Sequence, residues 1–270
     1  MERLPTESDV ARSVQTADDF RVAVANGEAV GWGSLRSWSE DDGTRVHLTD
    51  GYVAPPFRRT GVGTRLLHEA EAVARHAPRD GDAAVLAGNA STVQADRAAL
   101  LTRNGYVAVF SMVEMELGTP VGSTEPLPEG LLVRDAVVDD AAALIGLSER
   151  AWAGRPYFTS PTEGQFRAWL SRSDLSLFQV ATTRGRIVGL VASIAHDTHA
   201  KIDDVQVDPD WQRHGLASAL LTRNLKLLAA RGVRPIRLHT EGHDPAGALS
   251  LYRQLGFDVV REYHRYRKPL

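Results

Sequence analysis

KIDDVQVDPDWQRHGLASALLTRNLKLLAAR, residues 201–231, is the stretch from which the rest of the chain can be read. Residues 202–207 alternate as a strand, Pro209 ends them, and a polar turn leads into an apolar helix that opens at Gly215. Leu221, Leu225 and Leu228 recur at i, i+4 and i+7, and Gly232 supplies the stop. In the turn Gln212-Arg213-His214-Gly215-Leu216-Ala217, the Gly permits close backbone approach and the Ala keeps the first helical turn uncluttered. Several unpaired N–H groups and the positive end of the helix dipole then face one spot, which suits an anion such as a phosphate. Taken alone, the same turn is also an ordinary helix start, since Gly is common there.

It does not stand alone. Residues 51–75, GYVAPPFRRTGVGTRLLHEAEAVAR, repeat the pattern, with Arg58-Arg59-Thr60-Gly61-Val62-Gly63 in place of residues 212–217. At nearly equal distances beyond the turns, two apolar helices end in a Gly-aromatic pair, LLTRNGY closing on Gly105-Tyr106 and LYRQLGF closing on Gly256-Phe257. The chain therefore contains an internal duplication, and its 270 residues divide into two domains. Boundaries are expected at 1–117 and 131–270, joined by a linker at 118–130, GTPVGSTEPLPEG, which has three prolines and no apolar periodicity.

Local signals fill in the elements. The first copy is predicted to have helices at 6–13, 61–76 and 96–103 and strands at 19–25, 29–37, 45–53, 83–86 and 107–117, with a hairpin turn at Asn26-Gly27. The second has predicted strands at 131–135, 175–183, 186–196, 201–207, 235–239 and from 257 onward. Its helices fall at 139–151, 162–170, 215–231 and 245–255, and a turn at Arg184-Gly185. Ahead of its turn glycine the first copy is shorter by about one helix pair.

R/Q-x-x-G-x-G/A after a strand, followed by L-Y-x-x-x-G-F, resembles the GNAT superfamily of N-acetyltransferases over residues 15–117 and 131–270, the second copy more closely. The tandem arrangement is similar to that of mycothiol synthase-like and antibiotic-modifying members, with no residue that selects among them. The resemblance implies an α/β (α+β) fold of two tandem GNAT-type acyl-CoA N-acyltransferase domains, each a mixed, mostly antiparallel sheet flanked by helices. It implies acetyl-CoA as co-substrate, its pyrophosphate on Gln212, Arg213, His214, Gly215, Leu216, Ala217 and Ser218, and its pantetheine and acetyl carbonyl on the backbone of Val205, Gln206 and Val207. By the same alignment Val53, Arg58, Arg59, Thr60, Gly61, Val62, Gly63 and Thr64 form a second cofactor site. The helix pair that the first copy lacks would wall the acceptor site, which leaves that copy mainly structural.

Amine acetylation by a thioester needs a base for the ammonium and an acid for the departing thiolate. Tyr252 matches the family's tyrosine near the CoA sulfur; it also sits on a packed helix as a core aromatic would. The first copy has Leu101 there, which cannot donate a proton. Strict alternation puts Lys201, Asp203, Val205 and Val207 on one face and Asp204 on the other, so Asp203 leads as base, with Glu241 as rival through a water. His196, Asp197 and His199 line the acceptor pocket or a solvated loop. Thr49 aligns with Asp203 and Asp50 with Asp204. Where the family often has Asn, this chain has His243-Asp244-Pro245, which an N-cap Asp244 and a helix-opening Pro245 explain without a ligand.

Composition narrows the partners. A 43% hydrophobic and 24% charged chain argues against disorder and a membrane span. A net charge of −3 and pI near 6.3 give no basic surface for nucleic acid or an anionic membrane. With no cysteine there is neither a disulfide nor an acyl-cysteine intermediate, so transfer is direct. Without a basic-then-apolar start, the chain is expected to be cytoplasmic, and its Arg-, Ala- and Gly-rich usage suggests a GC-rich bacterium. No metal spacing is present and acetyl transfer requires none. The expected activity is N-acetylation of a small-molecule primary amine by the C-terminal domain, as a monomer or a homodimer. A non-catalytic acyl-CoA-binding scaffold or sensor, another acyl donor, and a hydroxyl acceptor stay open.

Overall fold

Two stretches of backbone with left-handed residues at matching places organise the chain. The computed structural model describes residues 6–77, 83–118, 125–155, 157–243 and 247–270. In chain order these form α1 (Glu7–Thr16), β1 (Asp19–Ala25), β2 (Glu28–Ser39), β3 (Arg45–Val53), α2 (Val62–His76), β4 (Ala84–Ser91), α3 (Ala95–Arg103) and β5 (Val107–Leu117). There follow β6 (Leu132–Asp135), α4 (Ala141–Trp152), α5 (Glu163–Arg172), β7 (Phe178–Thr183), β8 (Arg186–Ala195), β9 (Ala200–Val207), α6 (Leu216–Ala230), β10 (Ile236–Glu241), α7 (Ala248–Gln254) and β11 (Asp258–Pro269). After β3 and β9 come matching 3-10 turns, Pro55–Phe57 and Pro209–Trp211, and then helices of 15 residues each. Between turn and helix the chain passes through Arg59 at φ 65° and Gly61 at 93°, and through Arg213 at 63° and Gly215 at 81°. The duplication is thus a duplication of backbone conformation.

Residues Met1–Met112 and Glu262–Leu270 cluster as one unit and Val113–Arg261 as another. In the first the strand order is β1-β2-β3-β4-β11, antiparallel except for the parallel pair β3/β4. In the second it is β5-β10-β9-β8-β7-β6, antiparallel from β9 to β6 and parallel between β9 and β10. Both units are mixed α/β, a mostly antiparallel sheet flanked by helices. Tight hairpins join β1 to β2 and β7 to β8. Their central residues, Asn26 and Gly27, then Arg184 and Gly185, all have positive φ, which matches the right-handed twist of the flanking strands.

The core of the second unit gathers Leu144, Leu147, Phe166, Leu170, Phe178, Leu190, Leu220, Leu225 and Ile236; that of the first gathers Leu35, Leu67, Leu86, Leu101, Tyr106 and Tyr266. A fully buried Leu contributes about 1.5–3 kcal/mol. β8 is buried at seven consecutive positions because helices cover both of its faces. At Gly189 of β8 an added Cβ would lie 2.9 Å from Leu220 and 3.2 Å from Leu216, so α6 sits closer to the sheet than any side chain would allow. Asn224 fixes it there, accepting from Ser193 Oγ at 2.6 Å and donating to the Leu177 carbonyl at 2.9 Å.

Some elements differ from their sequence-based bounds, β4 the most. β4 runs to Ser91, well past Leu86, because β11 pairs with it from Tyr263↔Ser91 to Pro269↔Val85, a partner supplied from the far end of the chain. That pairing also puts Glu262–Leu270 with the first unit, whereas the sequence boundaries place those residues in the second domain. α7 starts at Ala248; Asp244 and Pro245, and linker residues 119–124, lie outside the described residues. Among the described residues one short helix, α1, stands ahead of β1, while the second unit has α4 and α5 ahead of β7.

Candidate active site

Among the described residues β9 and β10 pair at two positions, Ala200↔Ile236 and Lys201↔Arg237. β9 continues to Val207 and β10 to Glu241, so the strands fork, and the edge of β9 that faces β10 has no ladder partner beyond Lys201. Backbone N–H and C=O groups require partners, and this edge has the geometry to receive an extended, amide-bearing molecule. The open end of the fork meets the Gly215 turn. Gly215 is the N-cap of α6 with no side-chain cap hydrogen bond, which leaves the first-turn amides free of side-chain acceptors. The amides and the helix dipole suit a pyrophosphate there.

The turn is held rigidly. Asp208, 1% exposed, accepts from Arg150 Nε of α4 at 2.7 Å, from Arg186 Nη2 of β8, and from the backbone N–H of Asp210 at 3.2 Å. Burial works against its charge, but the two guanidiniums hold its carboxyl below the usual carboxylate range. Gln212 Nε2 donates to the Val207 carbonyl at 3.1 Å, and Arg58 Nε to the Val53 carbonyl at 3.0 Å. In both copies the residue that opens the turn latches it to the preceding strand. Arg213 lies against the start of α7: a Cβ added to Gly247 would stand 3.1 Å from Arg213 Nη1.

A β-bulge revises the face assignments. Ala192 of β8 pairs with Asp204 and Ser193 with Ile202, so Asp203 is an extra residue. Past such a bulge the side-chain alternation inverts. Lys201, Asp204 and Gln206 share the face of Ile194, Ala192 and Leu190, where Gln206 Nε2 lies 3.5 Å from Ser148 Oγ of α4. Ile202, Val205 and Val207 share the α6 face. The expectation that Lys201 and Val205 lie on one face is therefore wrong, and alternation cannot be used to rank Asp203 above Asp204. Asp203 is ion-paired to Lys201. Asp204, partly exposed and just beyond the last β9–β10 pair, accepts from Gln206 Nε2 at 2.8 Å. Burial, with Asp203 beside it, pushes the Asp204 carboxyl up to about 7 against the opposing pull of Gln206 and Lys201.

Glu241, across the fork at the end of β10, sits 3.6 Å from Arg155 Nη1. Arg155 lies over the Trp152 ring at 5.1 Å, and that ring stacks on Phe158 at 5.2 Å. Tyr252 is 6% exposed, its ring meeting Phe257 edge-on at 6.0 Å within the core. His196 and His199 stack at 4.7 Å in the β8–β9 turn, at the paired end of the fork, with Asp197 in the same turn. Burial, then His196 and Arg237, lowers the His199 pKa. Among the described residues no group of three or more His, Cys, Asp or Glu could hold a metal, and no helix is long and apolar enough to cross a membrane.

The first unit has the same fork with different contents. β3 and β4 pair from Arg45↔Ala84 to Thr49↔Gly88 and then part, but β2 and β3 pair without a bulge. Arg97 of α3 reaches into the fork, a residue that reading motifs by resemblance passed over. Its Nη2 donates to the Thr49 carbonyl at 3.0 Å, its Nη1 to that of Gly51 at 3.2 Å, and its Nε to that of Asn89 on β4. Asp50 pairs with it at 3.2 Å. The available signal was a comparison of copies: four residues before Leu101 stands Arg97, and four before Tyr252 stands Ala248.

Parallel strands that part beside a left-handed glycine at a helix start occur twice in this chain. The chain belongs to the GNAT acetyltransferase family, matching the Acetyltransferase (GNAT) family over residues 3–106 and 143–257. It is 34% identical over 226 residues to mycothiol acetyltransferase of Clavibacter michiganensis subsp. michiganensis, covering 80% of this chain and 70% of that one. To mycothiol acetyltransferase of Saccharomonospora viridis it is 31% identical over 262 residues, covering 90% and 80%. A GCN5-related N-acetyltransferase from Sphaerobacter thermophilus superposes with a TM-score of 0.80 at 26% identity, covering 98% of this chain and 85% of that one. A tandem GNAT protein from the clavulanic acid biosynthesis pathway shares the fold, with a TM-score of 0.72 at 16% identity over 98% and 88%.

Proposed function

We propose that the second unit is an acetyl-CoA-dependent N-acetyltransferase that passes an acetyl group directly to the primary amine of a small molecule. The observation that carries this reading is the β9/β10 fork, which opens onto the uncapped amides of α6 and has Asp204 just inside it. Bound acetyl-CoA supplies a thioester carbonyl open to attack by an amine. Amides over 213–218 hold its pyrophosphate, and the free edge of β9 at Val205, Gln206 and Val207 orients the pantetheine arm. Asp204 takes the proton from the ammonium. With its carboxyl near 7 it accepts that proton at neutral pH, whereas Asp203 is held by Lys201. Glu241 and the Trp152 ring border the acceptor, and Tyr252 gives its phenolic proton to the leaving thiolate, regaining one from the nitrogen as the intermediate collapses.

The relatives' name makes an acceptor related to mycothiol the first to assay, followed by amino sugars, polyamines, amino acids and amine antibiotics. Release of free thiol from acetyl-CoA across this panel is the test. Amine-dependent release that Gly215→Glu abolishes is the expected result; measurable coenzyme A binding with no release for any amine would leave the chain a binding scaffold.

A further inference from the structure

We propose that Arg97 is a resident plug in the first unit's acyl-CoA cleft, so that this unit holds no coenzyme A. The inference rests on the reading of acetyl-CoA as ligand of the second unit, and it concerns what the first has become. An acyl-CoA in such a fold lays its pantetheine amides along the strand edge that the fork exposes. In the first unit that edge is β3 beyond Thr49, and its carbonyls at Thr49 and Gly51 are already taken by Arg97, which also bonds Asn89 across the fork. One guanidinium thus bonds both strands. Its side chain is only 18% exposed, and Asp50 balances its charge. A pantetheine arm would have to displace three charge-assisted hydrogen bonds and leave a largely buried cation with Asp50 alone. In the second unit Ala248 stands at the equivalent position and sends no such group into the fork. Two further departures agree: β3 pairs with β2 without a bulge, and Leu101 replaces Tyr252. The Gly61 turn keeps its conformation because it connects β3 to α2, which needs no ligand.

Calorimetric titration with acetyl-CoA tests this on the intact chain. Wild type should bind one equivalent, retained in Gly61→Glu and lost in Gly215→Glu. Removing the plug in that silent background, Arg97→Ala with Gly215→Glu, should restore one equivalent. Hydrogen exchange on the wild-type chain gives a second readout that needs no variant to fold: acetyl-CoA should slow exchange over 203–207 and 213–218 by at least tenfold and leave 50–53 and 59–64 unchanged. Binding lost in Gly61→Glu, protection over 50–53, or a folded double variant with no regained site would each overturn the plug. If wild type binds no acetyl-CoA, the catalytic reading of the second unit fails, and the plug is then decided by whether Arg97→Ala creates binding.

Discussion

Asp204 titrates near neutrality because its folded surroundings disfavour its charge, and that has opposite consequences for stability and activity. A carboxyl raised from its unfolded value of about 4 binds more protons folded than unfolded between pH 4 and 7, so folding stability falls as pH rises through that window. Asp204→Asn removes the titration. The variant should match wild type near pH 4 and exceed it in melting temperature at pH 8, while kcat drops at least ~100-fold and the rise of kcat/KM through pH 7 disappears. A variant that kept this rise would exclude Asp204 as base. Tyr252→Phe keeps the ring and its packing on Phe257 and removes only the hydroxyl. If the phenol is the acid, kcat falls by about 10²- to 10⁴-fold with acetyl-CoA affinity retained, and less with an acyl donor whose thiol is more acidic. Near-normal turnover with chemistry rate-limiting would leave Tyr252 a core aromatic.

Among elements, the placement of the Gly215 turn depends on Asp208 clamped between α4 and β8. Breaking a buried pair leaves an uncompensated charge, though the side chains of both arginines are partly exposed, so Asp208→Asn should cost about 2 kcal/mol. The depressed pKa gives the sign with pH. The contribution of Asp208 is fully present above its unfolded value of about 4 and is lost as pH falls through the lower folded value. Urea midpoints of wild type and Asp208→Asn should therefore differ at pH 7 and converge at strongly acidic pH; a constant difference would mean that the clamp is not ionic. With the turn loosened, KM for acetyl-CoA should rise more than kcat falls.

Across the whole molecule, the first unit is not a continuous piece of chain. Glu262–Leu270 supplies a strand to β4 and two basic residues to buried carboxylates: Arg267 forks onto Glu40, and Lys268 Nζ meets Glu71 at 3.0 Å. Glu71 also accepts from Tyr106, whose hydroxyl is pushed well above its ordinary range by burial and then by that carboxylate. Residues 1–117 alone would leave Glu40 and Glu71 buried without these partners and β4 paired on one edge only, with β3. Circular dichroism should find that fragment without a cooperative thermal transition, and a sharp transition would show that the last strand is dispensable.

Sequence by itself determined what is local and what is periodic. The helix and strand pattern, the Asn26-Gly27 and Arg184-Gly185 hairpins, and the two glycine turns follow from backbone preferences that act over a few residues, and repetition of those turns identified the family. Tertiary structure decided what depends on partners distant in sequence. The extra residue at Asp203 is defined only against β8, so the alternation that ranked the carboxylates gave way at the bulge. The length of β4 and the allegiance of Glu262–Leu270 are set by a pairing across most of the chain. Arg97 is one arginine among many in the sequence, and becomes the content of a cleft only when β3 and β4 part around it. In each case the deciding energy comes from hydrogen bonds and burial between segments far apart, to which no local propensity responds.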